Sequence, residues 1–297
     1  MLSFSIHLWL SREYKDYIDR NGDVNRHYRN VYPSLSVSYR KKGWVNTVSF
    51  SSKTTRPTFR QLSNASYYMN EYMYQKGNPL LKPSKTYTLQ WNSGYDFIHF
   101  SAGYTIVKDY IAMDSYTPQP SVNQIVSSFT NYDNMQYLKA ELNLQKNISW
   151  WMPSFSAGVI RQFFGCEYLG KEIAYEKPQV YLVFNQYFRL PKSYMLNMYY
   201  YLNTGGDQGI VRFKPYQMLN VGLTKSFLND KLSVSLKAQD VFHTLKFKET
   251  YSVKNISFSQ TEEYSWWHYS LSIIYRLNQK KMKYRGKTSI EDEINRL

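Results

Sequence analysis

An alternation of period two runs through almost all of the 297 residues of this chain, and it constrains the fold more than any other feature. Leu35, Val37 and Tyr39 alternate with Ser34, Ser36 and Ser38. Tyr87, Leu89 and Trp91 alternate with Thr86, Thr88 and Gln90. The pattern recurs at Ile98–Ile106, Leu138–Leu144, Leu219–Leu223, Leu232–Ala238 and Trp267–Leu277. In a strand, successive side chains point to opposite faces, so this spelling builds strands with one apolar and one polar face. No window approaches the ~18 consecutive apolar residues that a spanning helix needs, and no convincing amphipathic helix precedes the C-terminal tail.

The alternation predicts about twelve strands, at 2–12, 31–40, 43–54, 83–94, 96–117, 121–147, 153–168, 177–190, 193–203, 215–227, 231–248 and 261–278. Their connectors come in two kinds that strictly alternate. Short ones are Arg40–Gly43, Ser93–Asp96, Ser149–Pro153, Leu190–Ser193 and Leu228–Lys231. Longer ones lie near 13–30, 55–82, 117–122, 168–177, 204–215 and 248–262. In an up-and-down antiparallel sheet this parity puts every short turn at one end and every long loop at the other. Many of the strands exceed the ~5–6 residues common in globular sheets. Transmembrane barrel strands need ~9–11 residues and carry short periplasmic turns and long outer loops.

A mean hydropathy of −0.56 alone reads as soluble, but a membrane barrel averages its lipid-facing and lumen-facing residues and stays low. Aromatics make up 18% of the chain, 30 of them Tyr. Trp44, Trp91, Trp150 and Trp151 fall near the short-turn end, with Trp266 and Trp267 near the long-loop end, as two interfacial girdles would. The fold class expected is therefore all-β, a transmembrane up-and-down antiparallel β-barrel over 1–278, with a basic polar periplasmic tail over 279–297. The net charge of +15 is spread out except in that tail, which reads as solvated and not as a nucleic-acid patch.

The chemistry-bearing residues are dispersed. The single Cys166 allows no internal disulfide, and the five histidines have no metal-ligand spacing. His268 and Ser270 share a strand face but have no specific orienting carboxylate in the sequence. Asp19–Asn25 resembles the start of a calcium loop, with Gly22 at the fourth position instead of the sixth and Asn30 instead of Glu at the twelfth. No catalytic residue, metal site or cofactor is expected, and the chain is not read as an enzyme.

Five stretches carry a family resemblance: Val31-Tyr32-Pro33-Ser34-Leu35; Arg56-Pro57 leading to Gly77-Asn78-Pro79-Leu80-Leu81-Lys82-Pro83; Trp150-Trp151; Ala238-Gln239-Asp240-Val241-Phe242; and Tyr275-Arg276-Leu277. Together they resemble, in order, the C-terminal half of the outer-membrane β-barrel family found in TonB-dependent receptors of the Bacteroidota. The chain departs from that pattern at Ser84, where the family usually has Glu. The resemblance implies a place in the outer membrane of a Gram-negative bacterium, and a wall that belongs to a barrel of ~22 strands. It further implies a plug domain and half-barrel missing from this chain, in the same or a separate polypeptide. The remaining partners are outer-membrane lipid or lipopolysaccharide, the TonB system and a surface lipoprotein, with no nucleic acid.

The start, MLSFSIHLWLSREY, is a poor signal peptide, so an exported protein would be a fragment or lack its natural N-terminus. A self-closed barrel with a structural or passive-pore role is the second reading, and a soluble β-rich binding protein the third. Rigid aromatics beside adaptable polar groups suit ligand capture, so Tyr67, Tyr68, Tyr72 and Tyr74 are the candidate binding residues in the outer loops. Tyr116, Gln119, Asn123 and Gln124 extend that surface, and Lys15, Arg20, Arg26 and Arg29 could meet lipopolysaccharide phosphates. Arg56, Pro57, Gly77, Asn78, Pro79, Leu81 and Pro83 are expected to fix the backbone path of the rim.

Overall fold

The computed structural model describes residues 1–19, 22–71, 73–116, 125–254, 256–262 and 266–277. The tail 279–297 lies outside the described residues. Twelve strands pair in chain order into one meander: β1 (Leu2–Asp19), β2 (Gly22–Lys41), β3 (Trp44–Thr55), β4 (Ser84–Tyr95), β5 (Ile98–Tyr116), β6 (Ile125–Gln145), β7 (Trp151–Phe163), β8 (Gln179–Leu190), β9 (Tyr194–Asn203), β10 (Tyr216–Phe227), β11 (Leu232–Gln239) and β12 (His268–Tyr275). Every neighbouring pair is antiparallel. Among the described residues β1 pairs only with β2 and β12 only with β11, so the sheet keeps two edges.

The register carries the apolar period across the whole sheet. Opposed residues run Val48, Trp91, Ala102, Ala140 and Val159 along one row, and Val221, Ala238 and Tyr269 along another. A one-residue slip would turn a whole strand over, and no such slip occurs between wall strands. Among the described residues nothing covers this apolar face: Leu89, Trp91, Leu138, Leu236, Leu271 and Ile273 are all exposed. The opposite face is a polar ladder. Ser38 meets Thr47 at 2.8 Å, Thr88 meets Thr105 at 3.2 Å and Thr224 meets Ser235 at 2.9 Å. Asn143 donates to Glu141 at 2.8 Å, and Tyr181 reaches across Gly158 to donate to the same carboxylate.

From β2 onward the expected parity of connectors holds. At one end the turns are Lys42-Gly43, Asp96-Phe97, 146–150, 191–193 and 228–231. Lys42 (φ 48°) and Gly43 (φ 85°) both adopt positive φ, the requirement of a two-residue turn whose twist matches its strands. Aromatics gather beside these turns. Trp44 stacks on Tyr95 at 4.7 Å, Trp151 lies parallel to Phe188 at 6.2 Å, and the Lys225 ammonium sits 3.9 Å from the Tyr194 ring centroid.

Five strand boundaries differ from expectation. The loop expected over 13–30 is instead a continuation of β1 and β2, which pair without a break from Leu2↔Tyr39 to Asp19↔Gly22. The polar composition there marks strand above the apolar band, not loop. The strand expected over 153–168 ends at Phe163, and Gly165–Tyr168 pairs with Lys171–Ala174 as a separate hairpin. The strand expected over 231–248 stops at Gln239. Asp240 (φ 44°) turns the chain, and its carboxylate accepts the backbone N–H groups of Thr244 and Leu245 at 3.1 Å each. The last strand starts at His268, not at 261, because Ile256–Glu262 pairs with Phe247–Val253 in a separate loop sheet.

Candidate functional site

The long-loop end is more than a set of connectors. The strands β5 and β6 run 19 and 21 residues, or about 60–70 Å at ~3.3 Å per residue, roughly twice the hydrocarbon thickness of ~30 Å. Their upper halves form a stalk, against which the loops are fastened.

The first fastening is the segment from Arg56 to Pro83. Thr58 caps the short helix Phe59–Leu62 with Gln61 in a reciprocal box. The backbone then returns across the helix end: the Gly77 N–H donates to Ser63 O at 2.9 Å and the Asn78 N–H to Gln61 O at 2.6 Å. A Cβ on Gly77 would stand 2.4, 2.7 and 2.8 Å from the carbonyl oxygens of Ser63, Arg60 and Gln61, so only glycine fits. Asn78 donates its amide to Phe129 O on β6 at 2.9 Å and accepts from the Leu80 N–H at 2.9 Å. Leu81 is fully buried and Pro57 is buried, while Pro79 and Pro83 are half-buried between them. Asn131 accepts from the Lys82 N–H at 2.7 Å and donates to Lys82 O at 3.0 Å and to Asp109 O at 2.8 Å. Asp109 adopts φ 52° in the middle of β5, and its carbonyl also accepts from Ser84 at 2.7 Å. The residue that departs from the family pattern therefore fills a role of its own here.

Within this segment Ser66–Asn70 and Met73–Lys76 form a hairpin, and the second of these strands lies parallel to the start of β6. Tyr68 and Tyr74 are directly opposed and pack edge to face at 5.7 Å. Tyr67 lies beneath the Arg60 guanidinium, 5.3 Å away. Tyr68 stays 67% exposed. Three of the four candidate tyrosines thus share one hairpin; Tyr72 lies outside the described residues, as do Arg20, Gln119, Asn123 and Gln124.

The second fastening was invisible to sequence reading. Three later loops fold into a cap whose core is Phe164, Cys166, Tyr175, Ile210 and Val253, packed on Tyr110, Met113, Tyr132 and Met135 of the stalk. Phe164 meets Tyr132 edge-on at 5.1 Å and Tyr110 at 5.7 Å. Gly206–Gln208, Val211–Phe213, Phe247–Val253 and Ile256–Glu262 supply the sheet of the cap. Its polar joints are paired. Gln162, buried, exchanges two hydrogen bonds with the Gly209 backbone at 2.7 and 2.9 Å. Asp207, also buried, takes Arg212 in a fork at 2.8 and 3.1 Å and the Lys177 N–H at 3.0 Å. Lys254 pairs with Asp114 on the stalk. Burial, reinforced by Asp114, pushes the Cys166 thiol up to about 11, and burial also raises the Tyr110 and Tyr175 phenols. The thiol packs in the cap core beside Phe164 and Tyr175.

No cluster that could hold a metal ion occurs among the described residues. His268 and Ser270 are exposed on β12, and a His268 ring nitrogen lies 3.2 Å from Trp266 O. The rim presents aromatic and charged loop groups, Tyr68 and Tyr74 on the hairpin and Arg60 over Tyr67.

Residues 11–275 match the family described as outer membrane protein beta-barrel family. No curated protein matches the chain. Among solved structures, the siderophore receptor PirA of Pseudomonas aeruginosa aligns with a TM-score of 0.53 at 14% identity, over 80% of this chain and 42% of that one. The outer membrane transporter YddB of Escherichia coli aligns at 0.52 and 10% identity, over 90% of this chain and 43% of its own. A variant of the ferric enterobactin receptor PfeA of P. aeruginosa, in complex with enterobactin, aligns at 0.51 and 13% identity, over 80% and 38%. These likenesses concern the fold, and this chain spans about two-fifths of the length of each.

Proposed function

This chain belongs to the outer membrane protein β-barrel family, and on that premise we propose that it forms the C-terminal part of the wall, and the outer ligand-gathering rim, of a TonB-dependent-type receptor. Its place is the outer membrane, where the uncovered apolar face meets lipid. The rim recruits a solute too large or too scarce for a passive pore, through Tyr67, Tyr68 and Tyr74 on the hairpin and the paired loops of the cap. A plug and further strands complete the barrel, and the TonB system drives passage.

The observation that carries this reading is the pair of sheet edges. The described part of β12 is exposed along its whole length, and Ile6 on β1 is 77% exposed. Open edges leave backbone groups unpaired, at several kcal/mol each in lipid, and in this reading further strands cover them. In this reading the work of the chain is binding and passage.

The test is photo-crosslinking in the native outer membrane, with the crosslinker at Ile6 or Ile273, one on each edge. Bonds from both sites to a plug-bearing partner segment are the expected outcome. A bond joining Ile6 to β12 of the same molecule would instead show a self-closed barrel, the passive-pore arrangement.

A further inference from the structure

The hairpin that carries Tyr67, Tyr68 and Tyr74 rests on the stalk through a joint that leaves two polar atoms unsatisfied. Its second strand, Met73–Lys76, lies parallel to the start of β6 over three residue pairs, Met73↔Ile125, Tyr74↔Val126 and Gln75↔Ser127. Across the hairpin Tyr67 opposes Gln75 and Tyr68 opposes Tyr74. Successive rows of a sheet present opposite faces. Tyr67, Gln75 and Ser127 therefore share one face, and Tyr68, Tyr74 and Val126 the other. The first face is turned toward the short helix, whose Arg60 guanidinium lies 5.3 Å from the Tyr67 ring centroid. On that face Gln75 Oε1 and Ser127 Oγ are buried and have no hydrogen-bond partner among the described residues. Ser127 as a whole is 2% exposed.

A buried polar group without a partner disfavours the arrangement that buries it, by about fivefold or more for each group. Water satisfies both atoms as soon as the hairpin lifts. Little opposes that lifting. A two-stranded hairpin is marginal alone, and parallel pairing is the weaker kind. The root of the hairpin is firmer. The Gly77 N–H donates to Ser63 O at 2.9 Å, and Ser63 Oγ accepts the Ala65 N–H at 3.2 Å. Just beyond Gly77, Asn78 and Lys82 are tied to Phe129 and Asn131 of β6. The hairpin is thus fixed at its base and weakly held along its side.

We propose that the hairpin over 66–76 is a flap, hinged where Ser63 meets Gly77, which lifts from β6 and wets Gln75 and Ser127. Tyr68 and Tyr74 are opposed on one face of the hairpin, so lifting carries them together and changes where the rim holds its aromatic surface. Local opening of this kind belongs to segments with few buried apolar contacts. The flap rests on the ligand-gathering reading of this hairpin for its purpose. Its motion is measured without a ligand, so the two fail separately.

Hydrogen exchange is followed in the protein extracted from outer membranes in detergent, for the wild type, Ser127→Ala and Gln75→Met. Each change removes one unsatisfied atom at little cost in volume, and so should hold the hairpin down, against the usual direction for a substitution in a buried joint. Exchange over 66–76 is expected to slow about fivefold or more in each variant, while 204–215 in the cap keeps its wild-type rate. Unchanged exchange over 66–76 overturns the flap. Faster exchange overturns it too, and would show that a bound water or ion pairs these atoms and braces the hairpin. The wild type supplies a measurement that survives misfolding of either variant. Its amides at 73–76 should exchange faster than those at 78–82, which the Asn78 and Asn131 joints hold; equal protection of the two stretches overturns the proposal.

Discussion

Replacing Gly77 should unfasten the rim, and the size of the effect follows from three distances. The missing Cβ would lie 2.4, 2.7 and 2.8 Å from three carbonyl oxygens of the helix end. All three are backbone atoms, so no side-chain rotation relieves the contact. Overpacking of this kind costs about 1–3 kcal/mol. Separation of the two segments also forfeits the hydrogen bonds Gly77 N–H to Ser63 O and Asn78 N–H to Gln61 O, worth about 0.5–1.5 kcal/mol each. Gly77→Ala should therefore cost about 2–6 kcal/mol, and Gly77→Val at least as much, because the first carbon already collides. The loss is local to the segment 56–83, whose exchange protection rests on those joints. Hydrogen exchange of the refolded protein reads it directly, with folded yield on heat-modifiable gels as a second measure. Leu80→Ala, at a side chain 84% exposed, serves as a control and should change nothing. Wild-type protection in Gly77→Ala would refute the reasoning, since it would mean that the carbonyls can move aside freely.

Asn131→Ala removes three hydrogen bonds that tie Lys82 and Asp109 together; a local loss of about 2–3 kcal/mol is expected, seen as proteolysis between Pro79 and Ser84. Asp207→Ala leaves the Lys177 N–H unpaired and Arg212 without its fork. Because Arg212 is half exposed, the expected cost falls below the ~3–5 kcal/mol of a fully buried pair, to about 2, measured by exchange protection in 204–215. Cys166 should react with a maleimide only on denaturation, burial holding its thiol near 11; rapid labelling of the native barrel would contradict the packed cap. The cap should loosen in alkali. Tyr110, Tyr175 and Cys166 have folded values raised above their ordinary ones, so their contribution is fully present below about pH 9 and is lost as pH climbs through the raised values. Fluorescence or exchange that stays flat to pH 12 would disagree.

The wall was legible in the sequence because one rule governs it. Side chains at positions such as Leu89, Trp91 and Ala102 need only a solvent on one face and water on the other, and period two writes that requirement directly. Turn parity then placed Arg56–Pro83 at the loop end before any coordinate. The stretch 13–30 misled because polar residues spell loop wherever an apolar face is absent, yet β1 and β2 stay paired there through their backbones. The cap was not legible at all. Phe164, Cys166, Tyr175, Ile210 and Val253 come from three loops up to 89 residues apart and share no local period; their proximity is set by the order of strands, which no short window contains. The role of Gly77 was half legible. Its need for a fixed path was anticipated, but the Ser63 carbonyl that enforces it was not. Tyr68 and Tyr74 meet across a hairpin whose pairing leaves no period in the local sequence, while Tyr67 turns instead to Arg60.

The Lys254–Asp114 pair joins residues 140 positions apart. A closure that long is entropically slow and cannot be made until the intervening strands are in place. Assembly is therefore ordered in time. The stalk of β5 and β6 zips early from neighbouring residues, and the cap latches onto it only after β7 to β11 have inserted. During that interval Phe164, Cys166 and Val253 face water. A thiol reagent pulsed onto the chain during refolding would thus act as a clock, labelling Cys166 until the latch shuts and not afterwards.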